Sequence, residues 1–389
     1  MSVWDGIVGQ EPTVNLLKSV VASPGSGRDD IAQSWLICGP PGSGRSNLAR
    51  AFAAALISPD QGLSDQPTRV TSQVLAGSHP DVTILSTNKV TIGIDQVRDL
   101  IVTSEQMPTT APWRVIIIED VDRMLERTTN VLLKEIEEPA PHTIWLLCAP
   151  SAQDVLPTIR SRTRVVNLAV PSNTAVADFL IRQEGVDRAT ALKAARLAQG
   201  HIGVARLYAT DRQVLADRDE LVIGLLGLRR SSDAIILAGR MVDDAKSQAA
   251  RAVEGQVARA ESEFRQVNGL GTDERIPPAL RGAYHALGGK DEVRRRTTRL
   301  TRDVLDRYLN ILASVYRDVC VLQNQADETA GLVNLENRPA ITDLSVRLTR
   351  RAAIDRLETI ATARRRLAGN GSPLLVFEAL FCRLLVSDR

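Results

Sequence analysis

Residues 34–57 read SWLICGPPGSGRSNLARAFAAALI. The stretch divides into a short apolar run (SWLIC), a glycine-rich loop (GPPGSGRS) and a segment with alanine and leucine at helical spacing (NLARAFAAALI). Strand, glycine loop and helix in immediate succession are the context a phosphate-binding P-loop requires. The pattern is glycine, four residues, glycine, lysine, then serine or threonine. Gly39 and Gly44 fill the glycine slots, with Pro40, Gly42 and Ser43 between them; Ser46 supplies the hydroxyl, and Arg45 stands where lysine belongs.

Working outward, WRVIIIEDVD (113–122) and TIWLLCAP (143–150) are β-branched or apolar runs that read as buried parallel strands. The segment between them, ERTTNVLLKEIEEPAPHT, reads as a helix stopped by Pro139. Strands alternating with helices predict an α/β parallel sheet covered on both faces, with the strand pattern ending near residue 168. TAVADFLIRQ, RATALKAARLAQG and GVARLYA, within 172–209, predict a small module of short helices. From 212 onward the pattern is amphipathic helix without strands. In residues 303–323 one face carries Val304, Leu305, Tyr308, Leu309, Leu312, Val315, Tyr316 and Val319. Residues 342–367 read as one further helix, and 373–386 as a helix apolar nearly all round and therefore buried. The Gly- and Pro-containing segment 265–290 reads as loop.

Composition bounds the rest. At 389 residues the chain is too long for one ordinary domain. Hydrophobic residues at 44% suffice for real cores, and a formal net charge of +2 gives no whole-chain argument for nucleic acid or membrane. Aromatics at 3% argue against a stacking platform for single strands. Cys38, Cys148, Cys320 and Cys382 are widely spaced in apolar runs, with no C-x-x-C pair. They read as small buried hydrophobes in a reducing compartment. No basic-then-apolar leader opens the chain and no apolar run approaches the roughly 20 residues that span a bilayer, so the expectation is a cytoplasmic protein with no membrane partner.

The slots of a nucleotide site can be read one at a time. Glycines let backbone N–H groups close on phosphates, and the following helix N-terminus favours anions. Arg45 keeps a positive charge but replaces a compact ammonium with a wide planar fork. A bland alternative is a glycine turn without a ligand. A hydrolysing site of this type ends its second strand Asp-Glu, for metal and water. Here the order is Glu119-Asp120, an inversion that disturbs positioning. The alternative is that these acids solvate a strand end. Three arginines follow in LPTIRSRTRVVNL: Arg160, Arg162 and Arg164. Alternation along a strand would put all three on one face. A strand-entry arginine in an ordinary ion pair is the plain reading of Arg162 by itself.

VWDGIVGQEPTVNLL resembles the opening box of clamp-loader AAA+ subunits. RVIIIEDVDRM, NVLLKEIEEPAPHTIWLLCAPS and LPTIRSRTRVVNL, in that order, resemble the delta-prime group of the bacterial DNA polymerase III clamp-loader family. The likeness covers residues 1–210; beyond them only SPLLVFEALFCRLL resembles the family's last collar helix. The resemblance implies a P-loop AAA+ domain over 1–170, a helical lid over 171–211 and an all-helical collar for oligomerisation over 212–389. The family's Ser-Arg-Cys motif reads Ser161-Arg162-Thr163 here, which implies that Arg162 is an arginine finger lent in trans. Motor members carry a sensor arginine in the lid, where this chain has Gly203 in Gly200-His201-Ile202-Gly203. They carry a sensor threonine where this chain has Ala149-Pro150, with Ser151 the first hydroxyl.

The implied role is a non-hydrolysing subunit of the DNA polymerase III holoenzyme, itself a nucleotidyltransferase of DNA replication, localised with the replisome and nucleoid. Its implied partners are the gamma/tau motor subunits, the delta subunit, the sliding clamp and, through the complex, primed DNA. No cofactor is then required, although the degenerate loop leaves room for ATP or ADP. Many relatives insert a four-cysteine zinc module after the P-loop helix. SPDQGLSDQPTRVTSQVLAGSHPDV has no cysteine and only His79, so no metal is expected. The competing reading is an active AAA+ ATPase, a motor or remodeller, using Arg45, Ser46, Glu119 and Asp120; a weaker one is a scaffold with Arg162 idle. Arg294-Arg295-Arg296, Arg299, Arg302 and Arg364-Arg365-Arg366 read as solvated helix faces, with DNA phosphate or an acidic partner as the alternatives.

Overall fold

The computed structural model describes residues 2–22, 31–86, 91–271 and 274–385. It divides into two compact units, residues 1–210 and 211–389.

The first unit is an α/β domain followed by three short helices. Its elements are α1 (Glu11–Ala22), β1 (Ser34–Cys38), α2 (Arg45–Ile57), α3 (Arg69–Leu75), β2 (Val82–Leu85), α4 (Ile94–Ser104), β3 (Arg114–Ile118), α5 (Glu126–Glu137), β4 (Thr143–Ala149), α6 (Pro157–Arg160), β5 (Arg164–Asn167), α7 (Asn173–Glu184), α8 (Arg188–Ala198) and α9 (Ile202–Thr210). The five strands form one parallel sheet in the order β2-β3-β4-β1-β5. Side-chain alternation splits its interior into two cores. Trp35, Ile37, Val115 and Ile117 point to the side covered by α2 and α3, while Leu36, Cys38, Ile116 and Ile118 face α4 and α5. Both faces are covered, which is why β1, β3 and β4 are buried at every position and apolar at all but the first.

Two side chains close this sheet. Gln10, in the opening box, donates from Nε2 to the Ala169 carbonyl at 2.7 Å and accepts from the Ala169 N–H at 3.0 Å, tying the N-terminus to the chain leaving β5. Asp81, fully buried just before β2, accepts from the N–H groups of Thr109, Thr110 and Ala111 at 2.6, 2.8 and 3.0 Å, and from the Thr110 hydroxyl at 2.9 Å. Burial pushes its carboxyl up, but these donors outweigh burial and hold it at about 2. The Arg114 guanidinium lies 3.6 Å away. His79 is half of this arrangement: buried, it accepts the Asp81 N–H on Nδ1 at 3.1 Å, and burial lowers its basicity.

The second unit contains, among the described residues, only helices: α10 (Arg212–Leu226), α11 (Ser231–Val267), α12 (Pro278–Leu287), α13 (Lys290–Gln323), α14 (Asp327–Ala330), α15 (Arg338–Arg347), α16 (Arg350–Ala368) and α17 (Pro373–Leu384). All eight apolar positions expected on one face of α13 are buried. A polar knot lies inside the core. Asp318 accepts from the Val333 and Asn334 N–H groups at 3.0 and 2.7 Å and from Asn334 Nδ2 at 2.8 Å, and Arg218 donates to Asn334 Oδ1.

Several sequence expectations need correction. Residues 342–367 are not one helix, because Leu348 is buried and Thr349 caps a new one, accepting the Ala352 N–H at 3.1 Å. The segment 265–290 is only partly loop: α11 runs to Val267, α12 takes Pro278–Leu287 and α13 begins at Lys290. Helix α17 is buried on one face only. Val376, Phe377, Leu380, Phe381 and Leu384 face the core, while Leu375 is 64% exposed and Cys382 is exposed too; Val386 lies outside the described residues. Cys38 and Cys148 are buried and Cys320 is intermediate. Arg160, Arg162 and Arg164 do not share a strand face, because Arg160 ends α6, Arg162 lies in the turn and Arg164 opens β5.

Candidate functional site

The glycine loop joins β1 to α2 at the carboxyl edge of the sheet, where parallel α/β folds place ligands. Its first residue is anchored by the Gly39 N–H to the Ala149 carbonyl, 3.2 Å. Gly42 and Gly44 adopt φ of +80° and +96°, which a side chain would resist. A β-carbon on Gly42 would also lie 2.1 Å from His201 Cγ. The imidazole is thus seated directly on the loop, and the Ile202 N–H donates to the Gly42 carbonyl at 3.0 Å. Gly200, at φ +86°, makes the turn that delivers His201; a β-carbon there would meet Val170 Cγ1 at 2.3 Å. Gly42, Gly44, Arg45, Ser46, Asn47, Phe179, His201, Ile202, Gly203 and Arg206 line a cleft of about 290 Å³, at the small end of ligand pockets.

Arg45 turns back on its own loop. Nη1 donates to the Gly39 carbonyl, and Nη2 lies 3.7 Å from Asp120 Oδ1. The other acid is taken as well, since Arg50 Nη2 donates to Glu119 Oε1 at 3.0 Å. Asp120 sits in the left-handed region (φ +58°) after β3 ends, and Arg123 approaches it at 3.5 Å. Both acids are therefore engaged by arginines. Asp122 beyond them is pushed up by burial and then by the Asp120 carboxylate, and its Oδ1 has no hydrogen-bond partner. Beneath, burial and the nearby Glu119 raise the Cys148 thiol to about 12, and burial raises Cys38, so neither is a ready nucleophile. Ser43 Oγ is buried without a partner, with the Gly39 backbone packed close against it. Pro40 is exposed. Ser151 caps the short turn after β4, accepting the Gln153 N–H.

Arg206 was not singled out from the sequence. It lies one helical turn beyond Gly203 on α9, lines the cleft, pairs with Glu184 at 2.5 Å and stacks on Phe179 at 5.9 Å. The i, i+3 spacing was the available signal.

Ser161 and Arg162 do not line the cleft. They form the turn between α6 and β5, where Ser161 Oγ donates to the Thr158 carbonyl at 3.1 Å. Arg162 is gripped by Glu137 at the end of α5, with Nε 2.9 Å from Oε2 and Nη2 3.3 Å from Oε1. Arg164 instead stacks on Trp35, 4.9 Å from the ring centre, which makes it a packing residue.

Residues 9–172 match the family model described as DNA polymerase III, delta subunit. The delta-prime subunit of Haemophilus influenzae is 37% identical over 126 residues, covering 32% of this chain and 38% of that protein. The gamma/tau subunit of Mycobacterium tuberculosis H37Rv is 26% identical over 404 residues, 98% of this chain and 60% of that protein. Among solved structures, a gamma-subunit-related protein of Thermotoga maritima aligns over 96% of this chain and 98% of its own, at 15% identity and a TM-score of 0.40. The chain spans between 38% and 52% of the first delta-prime relatives it matches. The matched segment contains the glycine loop, Glu119, Asp120 and the Ser161-Arg162 turn, and ends just before α7. Among the described residues no helix is long and apolar enough to cross a membrane.

Proposed function

We propose that the chain is a delta-prime-like subunit of a DNA polymerase III clamp loader, one that does not turn over ATP and that completes a neighbour's active site through Arg162. The observation carrying this reading is the state of the glycine loop. A hydrolysing site needs a cation reaching the outer phosphates and acids free for metal and water. Arg45 instead spends its fork on the Gly39 carbonyl and Asp120, and Arg50 holds Glu119. The donor set still fits the phosphate end of a nucleotide: Gly42, Gly44 and Ser46 open onto the cleft at the N-terminus of α2. It does not fit a hydrolytic magnesium site. ATP or ADP held without turnover is the consistent ligand, and gamma/tau, delta, sliding clamp and primed DNA are the partners of the assembly.

Arg162 suits the trans role because its guanidinium stands on an exposed turn at the edge of the α/β domain, and an always-charged fork stabilises charge developing on a γ-phosphate. A second reading, an active ATPase, draws support from the gamma/tau likeness, which runs the length of the chain. Steady-state ATP hydrolysis separates them. The chain alone is expected to be silent. A clamp loader reconstituted with motor subunits, clamp and primed DNA is expected to lose tenfold or more on Arg162→Ala, about 1.4 kcal/mol of barrier. Turnover by the chain alone, with Arg162→Ala unchanged, would establish the second reading.

A further inference from the structure

The Arg162 guanidinium has five N–H donors. Three are already donated within this chain, Nη2 to Glu137 Oε1 (3.3 Å) and Nη1 to the Thr158 carbonyl (3.1 Å) and Ser161 Oγ (3.3 Å), and Nε lies in ion-pair contact 2.9 Å from Glu137 Oε2. Both Glu137 oxygens lie against the Nε–Nη2 edge of the fork, the edge a phosphate would approach. The carboxylate thus occupies the edge that the guanidinium would offer to a second anion.

We infer that Glu137 is a positioning residue that parks Arg162, and that the finger works by exchanging the Glu137 carboxylate for the phosphate oxygens of a neighbouring nucleotide. This rests on the trans role proposed for Arg162. The exchange swaps one anion for another, so no charge is left unpaired. The carboxylate it releases is 54% exposed and returns to water. The parked pair is exposed enough to be weak: an ion pair of this kind shifts an equilibrium by about 1.4- to 5-fold. It holds the guanidinium in one orientation between encounters without locking it there. Thr158 and Ser161 keep their hold on Nη1 while Glu137 lets go.

The test compares Glu137→Gln with wild type in the reconstituted clamp loader, measuring kcat and KM for ATP, with each variant also made on Arg162→Ala. Glutamine keeps the shape and removes the charge that competes with phosphate. The expected result is a rise in kcat of about 1.4- to 5-fold. That gain disappears on Arg162→Ala, which a merely structural effect of Glu137 would not do. Matched thermal melts of the two chains show that Glu137→Gln is folded. If Arg162→Ala costs tenfold but Glu137→Gln leaves kcat unchanged or lowers it, parking is wrong and the trans role stands. If Arg162→Ala costs nothing, the trans role fails and parking falls with it.

Discussion

At the scale of single residues, the difference between lysine and arginine at position 45 decides the chemistry. An ammonium on a flexible stem has nothing to fork across, whereas the guanidinium reaches the Gly39 carbonyl and Asp120 together. Replacing Arg45 with lysine releases the Gly39 carbonyl and leaves Asp120 with Arg123 alone. Arg45→Lys is expected to tighten binding of a fluorescent ATP analogue by tenfold or more, read by titration of the isolated chain. An unchanged affinity would mean that Arg45 does not obstruct the cradle. The P-loop itself was legible because its glycine spacing is local and each slot has one chemical job. The fold-back was not. It depends on where the end of β3 stands relative to α2, a consequence of strand order that neither segment encodes by itself. The same holds for Glu137, which meets Arg162 across 25 positions of chain.

At the scale of elements, long apolar runs were readable and short or polar ones were not. Strands β1, β3 and β4 are buried throughout and carry their own signal. β2 is four residues (VTIL) with only Val82 buried, too short for a period, and the sequence reading passed over it. What holds it in place is Asp81. Its folded carboxyl sits at about 2, below the ordinary 3.8, so the stabilisation is complete above 3.8 and is lost as pH falls toward 2. Asp81→Asn should cost about 2 kcal/mol near neutral pH, and the deficit should shrink between pH 4 and 2. Urea unfolding of both proteins across that range measures it. A deficit independent of pH would place the loss in packing rather than in charge.

At the scale of the whole molecule, the two units each bury a core of their own. The helical unit relies on the Asp318 knot, which satisfies the backbone of Val333 and Asn334 where no helix does so. Asp318→Ala removes the carboxylate that accepts from those buried N–H groups and should cost about 3 kcal/mol. Calorimetry on residues 211–389 produced separately should show a cooperative transition shifted down by several degrees; an unshifted one would mean that the loop finds other partners. The sheet of the first unit carries a different consequence, one of timing. β1 is the first strand made and lies between β4 and β5, the last two. On the ribosome, SWLIC therefore emerges with no strand to pair with until about 110 residues more have been added and β4 is complete, roughly 6 to 22 s at ordinary rates of synthesis. For that interval an apolar strand has no strand partner, and Gln10 waits longer still for Ala169. The birth order of the strands keeps this segment without a strand partner for most of the synthesis of its domain.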